Sequence, residues 1–292
     1  MSKRILLLGK NGQVGWELQR ALAPLGQLIM HDRNTCDLAD TKTLAQTIDA
    51  TAPDIIVNAA AYTAVDRAEA DADNAYRINT EAVGVMANFA AKQNALLVHY
   101  STDYVFDGTN NLPYVETDTV NPLSVYGKSK YQGEQAIIAS GCAHYIFRTS
   151  WVFATRGANF AKTMLRLAGT QEKLRVVSDQ WGAPTSAALI ADVTAHALHR
   201  QHMAPPGIYH LAAGGETNWH EYAKFVIERA ATKGAAIKTT HIEPIATSDY
   251  PTPAARPMNS RMNCARLEST FNLLLPHWQH HVEHMLTELT GQ

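Results

Sequence analysis

Short unbroken apolar runs, each ending in a turn and followed by a stretch with helical spacing, lay out the first half of this chain. Ile5 to Leu8 is such a run, closed by Gly9, and has the look of a central strand covered on both faces rather than a half-exposed strand that alternates. Gln27 to His31, Asp54 to Asn58, Leu96 to Tyr100 and His144 to Arg148 read as further strands. Trp16 to Leu22, residues 64–94 and the segment after Asn121-Pro122 carry helical spacing, with Ser124 placed to cap the last of them. Strands and helices alternating over short links predict an α/β fold built on a doubly wound parallel sheet.

The pattern changes after Trp151. Asn159 to Ala168 and Ala187 to His199 read as helices and Leu174 to Val177 as a short strand, with Asp179 to Thr185 a glycine–proline loop between. Gly207 to Leu211 reads as a strand returning to the main sheet. Residues 216–231 are helical, and the proline-rich stretch Pro244 to Pro257 is loop. The chain thus divides into residues 1–150, joined by the returning helix and strand near 187–211, and residues 151–292, mostly a smaller α/β domain for substrate.

The link after the first strand is Gly9-Lys-Asn-Gly12-Gln-Val-Gly15, running directly into a helix. Strand, glycine turn and helix in that order form a dinucleotide fingerprint: the turn lets the backbone approach a pyrophosphate, and the helix N-terminus faces the anion. This makes the sheet Rossmann-type, with Gly9, Asn11, Gly12, Gln13, Val14 and Gly15 as candidate cofactor residues. Asp32 ends the second strand, where an acid accepts hydrogen bonds from ribose hydroxyls. Arg33 beside it suits a 2′-phosphate, so NADPH and NADH both stay open. Asp37 and Leu38 are candidates to flank the adenine. Ala59 to Ala61, with Tyr62 and Thr63, end the third strand in small side chains that leave room for a cofactor.

Tyr126 and Lys130 are one helical turn apart and project from one face. A neighbouring ammonium favours the phenolate. Moving a phenol from about 10 to neutrality amounts to roughly 4 kcal/mol, and yields a proton donor usable near pH 7. Thr102, at the end of the fourth strand, can place its hydroxyl at the same point, although Ser101 stands beside it. A carbonyl oxygen held between Thr102 and Tyr126 is the expected substrate position.

Composition narrows the class. The chain has 292 residues, 46% apolar and 18% charged, as in a soluble globular protein of one large or two modest domains. A net charge of −2 leaves no footprint for nucleic acid or an anionic membrane. The three cysteines are scattered, and the thirteen histidines come without a Cys-x-x-Cys pair, so neither a disulfide framework nor structural zinc is expected. The apolar run after Met1-Ser-Lys-Arg is too short for a signal peptide, and no run nears the ~18 residues of a membrane span. A cytoplasmic location follows. His277, His280, His281 and His284 share one helical face, which reads as solvated because no carboxylate or cysteine partner is evident.

The glycine turn, the Asn58 to Ala61 segment and the ordered set Thr102, Tyr126, Lys130 resemble the extended branch of the short-chain dehydrogenase/reductase superfamily. The stretches HYSTDYVFDG, NPLSVYGKSKYQGE, FRTSWVFA, DQWGAPT and RPMNSRMN make the chain more similar still to the dTDP-4-dehydrorhamnose reductases. That resemblance implies NAD(P)H-dependent reduction of the C4 ketone of a nucleotide sugar. Tyr126 would be the proton donor, Lys130 its activator and a ribose ligand, and Thr102 the group that orients the carbonyl. It further implies that Asp103, Trp151 and Arg256 contact substrate. Some members dimerise through Mg²⁺ held by glutamates; Glu17 is present but Ala188 stands where another carboxylate is expected, which favours a monomer or weak homodimer. An epimerase or dehydratase on the same scaffold is the nearest enzyme rival. A dehydratase is disfavoured because Tyr104 stands where its glutamate would be. A non-catalytic NADP-binding subunit, like the β subunit of methionine adenosyltransferase, is the alternative from another class.

Overall fold

The computed structural model describes residues 2–201 and 204–291; Met1, His202, Met203 and Gln292 lie outside the described residues. The first half runs β1 (Arg4–Leu8), α1 (Gln13–Leu22), β2 (Gln27–His31), α2 (Thr41–Thr51), β3 (Ile55–Asn58), α3 (Val65–Ala68), α4 (Ala72–Tyr76), α5 (Ala82–Gln93), β4 (Leu96–Thr102), α6 (Val125–Ser140) and β5 (His144–Thr149). The second half runs β6 (Val152–Phe153), α7 (Phe160–Ala168), β7 (Lys173–Val177), β8 (Trp181–Gly182), β9 (Thr185–Ser186), α8 (Ala187–His199), β10 (Gly207–His210), β11 (Thr217–Asn218), α9 (Trp219–Thr232), β12 (His241–Ile245), α10 (Ala265–Phe271) and α11 (Trp278–Thr290).

Six strands pair in the order β10-β5-β4-β3-β1-β2, all parallel. The unbroken apolar runs explain why the sheet is covered twice. Ile5 and Leu7 of β1 face Leu18 and Leu22 of α1 and Ile190 of α8, while Leu6 and Leu8 face Leu44 and Ile48 of α2 and Met86 of α5. Each leucine or isoleucine so buried contributes roughly 1.5–3 kcal/mol relative to exposure. Chain order reverses between β1 and β3, and the crevice at the carboxyl ends of these strands is where such sheets take ligands. A third cluster, Met164 and Ala168 of α7, Leu174 and Val176 of β7 and Ala223 and Ile227 of α9, gives the second half a small core of its own.

Four departures from the sequence reading have physical causes. Residues 64–94 are helical, but not continuously so: they form α3, α4 and α5, with a π turn over Arg77–Glu81 between the last two. That turn carries Asn79, whose side chain bonds Tyr62 N, Tyr62 O and Ser129 Oγ and so ties the loop after β3 to α6. The stretch from Asp179 to Thr185 is not all loop, since β8 and β9 pair with distant β11 and β6. The stretch that starts at Pro244 is loop only after residue 245, because β12 pairs with β7 through Pro244 at the edge of a two-stranded sheet. Finally, α2 lies in polar sequence that gave no apolar run, and is started by Asp40, which accepts from the Lys42 and Thr43 N–H groups.

Candidate active site

At the carboxyl ends of β1, β3 and β4 lies a cavity of about 850 Å³. Its first wall is the glycine turn. Gly9 N and Lys10 N donate to His31 O, and Gly12 N donates back to Gly9 O, so the chain doubles over between strand and helix. Gly15 permits this: a side-chain carbon there would sit 2.0 Å from Gly9 O. Gly12 caps α1 without a side-chain hydrogen bond, leaving the first-turn N–H groups for an anion. Gly9, Asn11, Gly12, Gln13 and Val14 line the cavity, while Gly15 is buried behind them as a packing position.

Asp32, Arg33, Asp37, Leu38, Ala61, Tyr62 and Thr63 line the same cavity. Asp32 Oδ2 accepts from Asn11 Nδ2 at 2.8 Å and lies 3.7 Å from Lys10 Nζ. Desolvation opposes its charge, but the Thr35 N–H and hydroxyl, Lys10 and the Asn34 N–H outweigh it and hold the carboxyl below its usual range. Arg33 is largely exposed, 3.4 Å from Asp37. An uncapped helix start, a glycine turn and an ionised acid at the second strand fit an adenine dinucleotide.

Thr102, Asp103, Tyr126 and Lys130 share the far end of the cavity. Ser124 caps α6 by accepting from Gly127 N at 3.1 Å. Gly127 lets the helix approach the turn after β4, since a side-chain carbon there would lie 2.2 Å from Tyr104 O. The choice between neighbouring hydroxyls is visible in their partners. Ser101 Oγ points under α6 and donates to Glu134 at 2.5 Å, whereas Thr102 Oγ1 donates to Asp103 Oδ1 at 2.9 Å, accepts from Tyr104 N and favours the anion of the Tyr126 phenol.

One expectation is corrected. Tyr126 is not acidified by Lys130 here: burial, then the Asp103 carboxylate, push the phenol up to about 12 against the pull of the Thr102 hydrogen bond. Lys130 Nζ turns instead into the sheet, 2.6 Å from Tyr100 O and 3.1 Å from His99 Nε2. It is 1% exposed, and burial drives its amine down to about 8 despite the attraction of Glu134. The sign of the consequence is definite. Between about 8 and 10.5 the unfolded chain holds this proton and the folded chain has released it, so stability rises with pH across that window. Urea titrations from pH 7.5 to 10.5 should show a gain on the order of 3 kcal/mol that is absent in Lys130→Met; equal slopes in the two proteins would exclude a depressed Lys130.

Toward the second half, Trp151 lines the cavity with a positive φ of 46° and stacks on Trp219 at 3.6 Å. Such a backbone conformation costs of order 1–3 kcal/mol and persists only where surroundings impose it. Asp103, pushed by burial up to about 6 although the Ser260 and Thr102 hydroxyls favour its anion, has an unpartnered Oδ2, and Thr149 Oγ1 is unpartnered too. These are polar atoms that the hydroxyls of a sugar can satisfy. Arg256 does not line the cavity. Its guanidinium is 2.7 Å from Asp66 and also bonds Thr252 and Ala254 O, next to Tyr104 at the rim.

Sequence reasoning missed Asn58, His99, Glu134, Arg148 and Trp219. His99 left a signal, a lone titratable residue inside an apolar strand. Glu134 left another, continuing the Tyr126, Lys130 stripe by one more turn. On the C-terminal helix the histidines do separate jobs: His277 caps α11, His281 is partly buried with its pKa lowered first by desolvation, and His284 pairs with Glu288 at 3.6 Å. Among the described residues no group of three or more His, Cys, Asp or Glu could hold a metal ion.

A family model described as the RmlD substrate binding domain matches residues 3–290. A dTDP-4-dehydrorhamnose reductase of Salmonella typhimurium is 50% identical over 98% of this chain and 97% of its own, and one of Burkholderia thailandensis is 48% identical over 99% and 100%. Among solved structures, dTDP-4-dehydrorhamnose reductase of Bacillus anthracis in complex with NADP superposes with a TM-score of 0.91 at 34% identity, covering 99% of this chain and all of that one.

Proposed function

Because this chain belongs to the RmlD family of dTDP-4-dehydrorhamnose reductases, we propose that its cavity carries out the reduction after which that family is named. The chain is an NAD(P)H-dependent oxidoreductase that converts the C4 ketone of dTDP-4-dehydro-β-L-rhamnose to dTDP-L-rhamnose, the last step of dTDP-rhamnose biosynthesis. The observation that carries this is the opening of one half-buried phenol, beside Thr102, into the same cavity as the glycine turn.

NAD(P)H bound in this cavity supplies the hydride to C4. The chain does the rest. Gly9, Asn11, Gly12, Gln13 and Val14 receive the pyrophosphate against the start of α1, with Gly15 supporting the turn. Asp32 and Arg33 would meet the adenosine ribose and Asp37 and Leu38 the adenine, while Ala61, Tyr62 and Thr63 would line the cofactor's path along the third strand. Thr102 orients the ketone oxygen. Tyr126, protonated at neutral pH, gives its proton to that oxygen as charge develops there, and Lys130 answers the charge left on the phenolate. Asp103 and Trp151 would hold the sugar, and Arg256 steadies the rim through Asp66 and Tyr104.

Relatives near 50% identity named as reductases disfavour the non-catalytic subunit, and Tyr104 at the cavity wall again disfavours a dehydratase. The protein is proposed to act as a monomer or weak homodimer, a dimer bridged by Mg²⁺ being disfavoured because Ala188 stands where one of the carboxylates expected to join Glu17 would be. A cytoplasmic location belongs to the same proposal and is supported by three unpaired cysteines. No helix among the described residues is long and apolar enough to cross a membrane. The test is NADPH or NADH consumption with enzymatically prepared dTDP-4-keto-6-deoxy-L-mannose and NMR identification of the product. No oxidation of either coenzyme, with the sugar recovered unchanged, would refute the assignment.

A further inference from the structure

Beneath the cavity floor, Asn58 of β3, His99 of β4 and Lys130 of α6 form a buried chain of hydrogen bonds, each of the three 1% exposed. Asn58 Nδ2 lies 3.1 Å from His99 Nδ1, and His99 Nε2 lies 3.1 Å from Lys130 Nζ. The direction of each bond follows from counting protons. Ala60 N–H donates to Asn58 Oδ1 at 3.1 Å, which fixes the amide with its NH₂ toward the imidazole. Nδ1 must then accept. A neutral imidazole carries one proton, so it sits on Nε2 and is donated to Lys130. An ammonium has no lone pair to receive it; a neutral amine has one, and still donates to Tyr100 O at 2.6 Å.

We propose that Asn58 and His99 are positioning residues that hold Lys130 as a neutral amine until the site is loaded, and that charging Lys130 requires His99 to change tautomer and the Asn58 amide to turn over. The two states differ by one proton, taken from solvent. In the first, His99 is Nε2–H and Lys130 is –NH₂. In the second, His99 is Nδ1–H and Lys130 is –NH₃⁺, and turning the amide gives up the bond to Ala60 N–H. Ala60 lies in the small-residue segment lining the cofactor end of the cavity, so Lys130 and that wall are coupled through three side chains.

The surroundings agree. His99 is held well below its usual range by burial first and Lys130 second, so it exchanges tautomers rather than becoming imidazolium. Burial also brings the Lys130 amine to about 8, where the neutral form is accessible. Tyr126 and Glu134 flank Lys130 on its own helix, and the Glu134 carboxylate is already bonded by Arg148 and Ser101. From β4, Tyr100 presents its carbonyl, and Asp103, just beyond that strand, acts on Tyr126 rather than on the amine. A donor-ready site results, with the phenol protonated and no fixed cation beside it.

This inference rests on the reductase reading for its purpose and for the kinetic arm of its test, but not for the tautomer arm. Protein labelled with ¹⁵N-histidine, without cofactor at pH 9, above the value of about 8 to which burial brings Lys130, should show the His99 ring with Nε2 protonated and Nδ1 bare, the signal being assigned by its loss in His99→Gln. Asn58→Asp keeps an acceptor for Ala60 N–H but demands Nδ1–H. In that variant the tautomer should invert, and the alkaline limb of kcat/KM that reports Lys130 should move up by about one pH unit or more. A wild-type ring protonated at Nδ1 overturns the proposal whether or not either variant folds, as does an inverted tautomer in Asn58→Asp with an unmoved limb. Failure of the wild-type protein to turn over the sugar would instead strike the reductase assignment and leave the tautomer result standing.

Discussion

Tyr126→Phe is expected to lower kcat by about 10²–10⁴-fold while NAD(P)H binds almost as before. The phenol is the proposed acid, beside Thr102 at the cavity wall, and Phe keeps the ring that packs edge-on to Tyr104 at 5.7 Å. Only the proton is lost. The phenol, held up to about 12, is protonated throughout the neutral range, so the loss should be nearly constant from pH 6 to 9. Steady-state rates and a fluorescence titration of the coenzyme on the same preparation separate the two effects. Full turnover by the variant would remove Tyr126 from its role, and a parallel loss of coenzyme affinity would make it a binding group instead.

Glu134→Ala should produce the largest loss of stability. Arg148 is 2% exposed and makes two bonds to Glu134, at 3.0 and 2.7 Å, while Ser101 Oγ donates to the same carboxylate. Removing the anion strands a buried guanidinium, which costs about 3–5 kcal/mol and lowers Tm by on the order of 10 °C. Glu134→Met combined with Arg148→Met should recover most of that loss, because deleting both charges removes the desolvation penalty along with the attraction. Calorimetry on the two single variants and the double closes the cycle; strictly additive losses would show that the pair is not coupled. The ion pair also holds α6 against β5 two turns beyond Tyr126, so a partial loss of activity should accompany the loss of stability.

Much of this was legible in the residues. Apolar runs such as Ile5 to Leu8 required strands buried on both faces, and Gly9, Gly12 and Gly15 before a helix required a turn open to a diphosphate. Tyr126 and Lys130 at one-turn spacing required a shared face. Local rules sufficed because each depends on neighbours a few residues apart in the chain. They failed where partners are remote: Trp219 is recruited to Trp151 across 68 positions, and Arg256 is claimed by Asp66 across 190.

By itself, then, the sequence determined the alternation of strand and helix, the glycine turn and the shared face of Tyr126 and Lys130, because backbone propensity, glycine geometry and helical spacing act at short range. Tertiary structure alone decided the states of those groups. It sent Ser101 to Glu134 and left Thr102 at the cavity wall, raised Tyr126 instead of lowering it, and set Lys130 on His99 and the Tyr100 carbonyl. Charge and proton affinity depend on burial and on which donors and acceptors meet in space, and those are fixed only when the sheet closes over the helix.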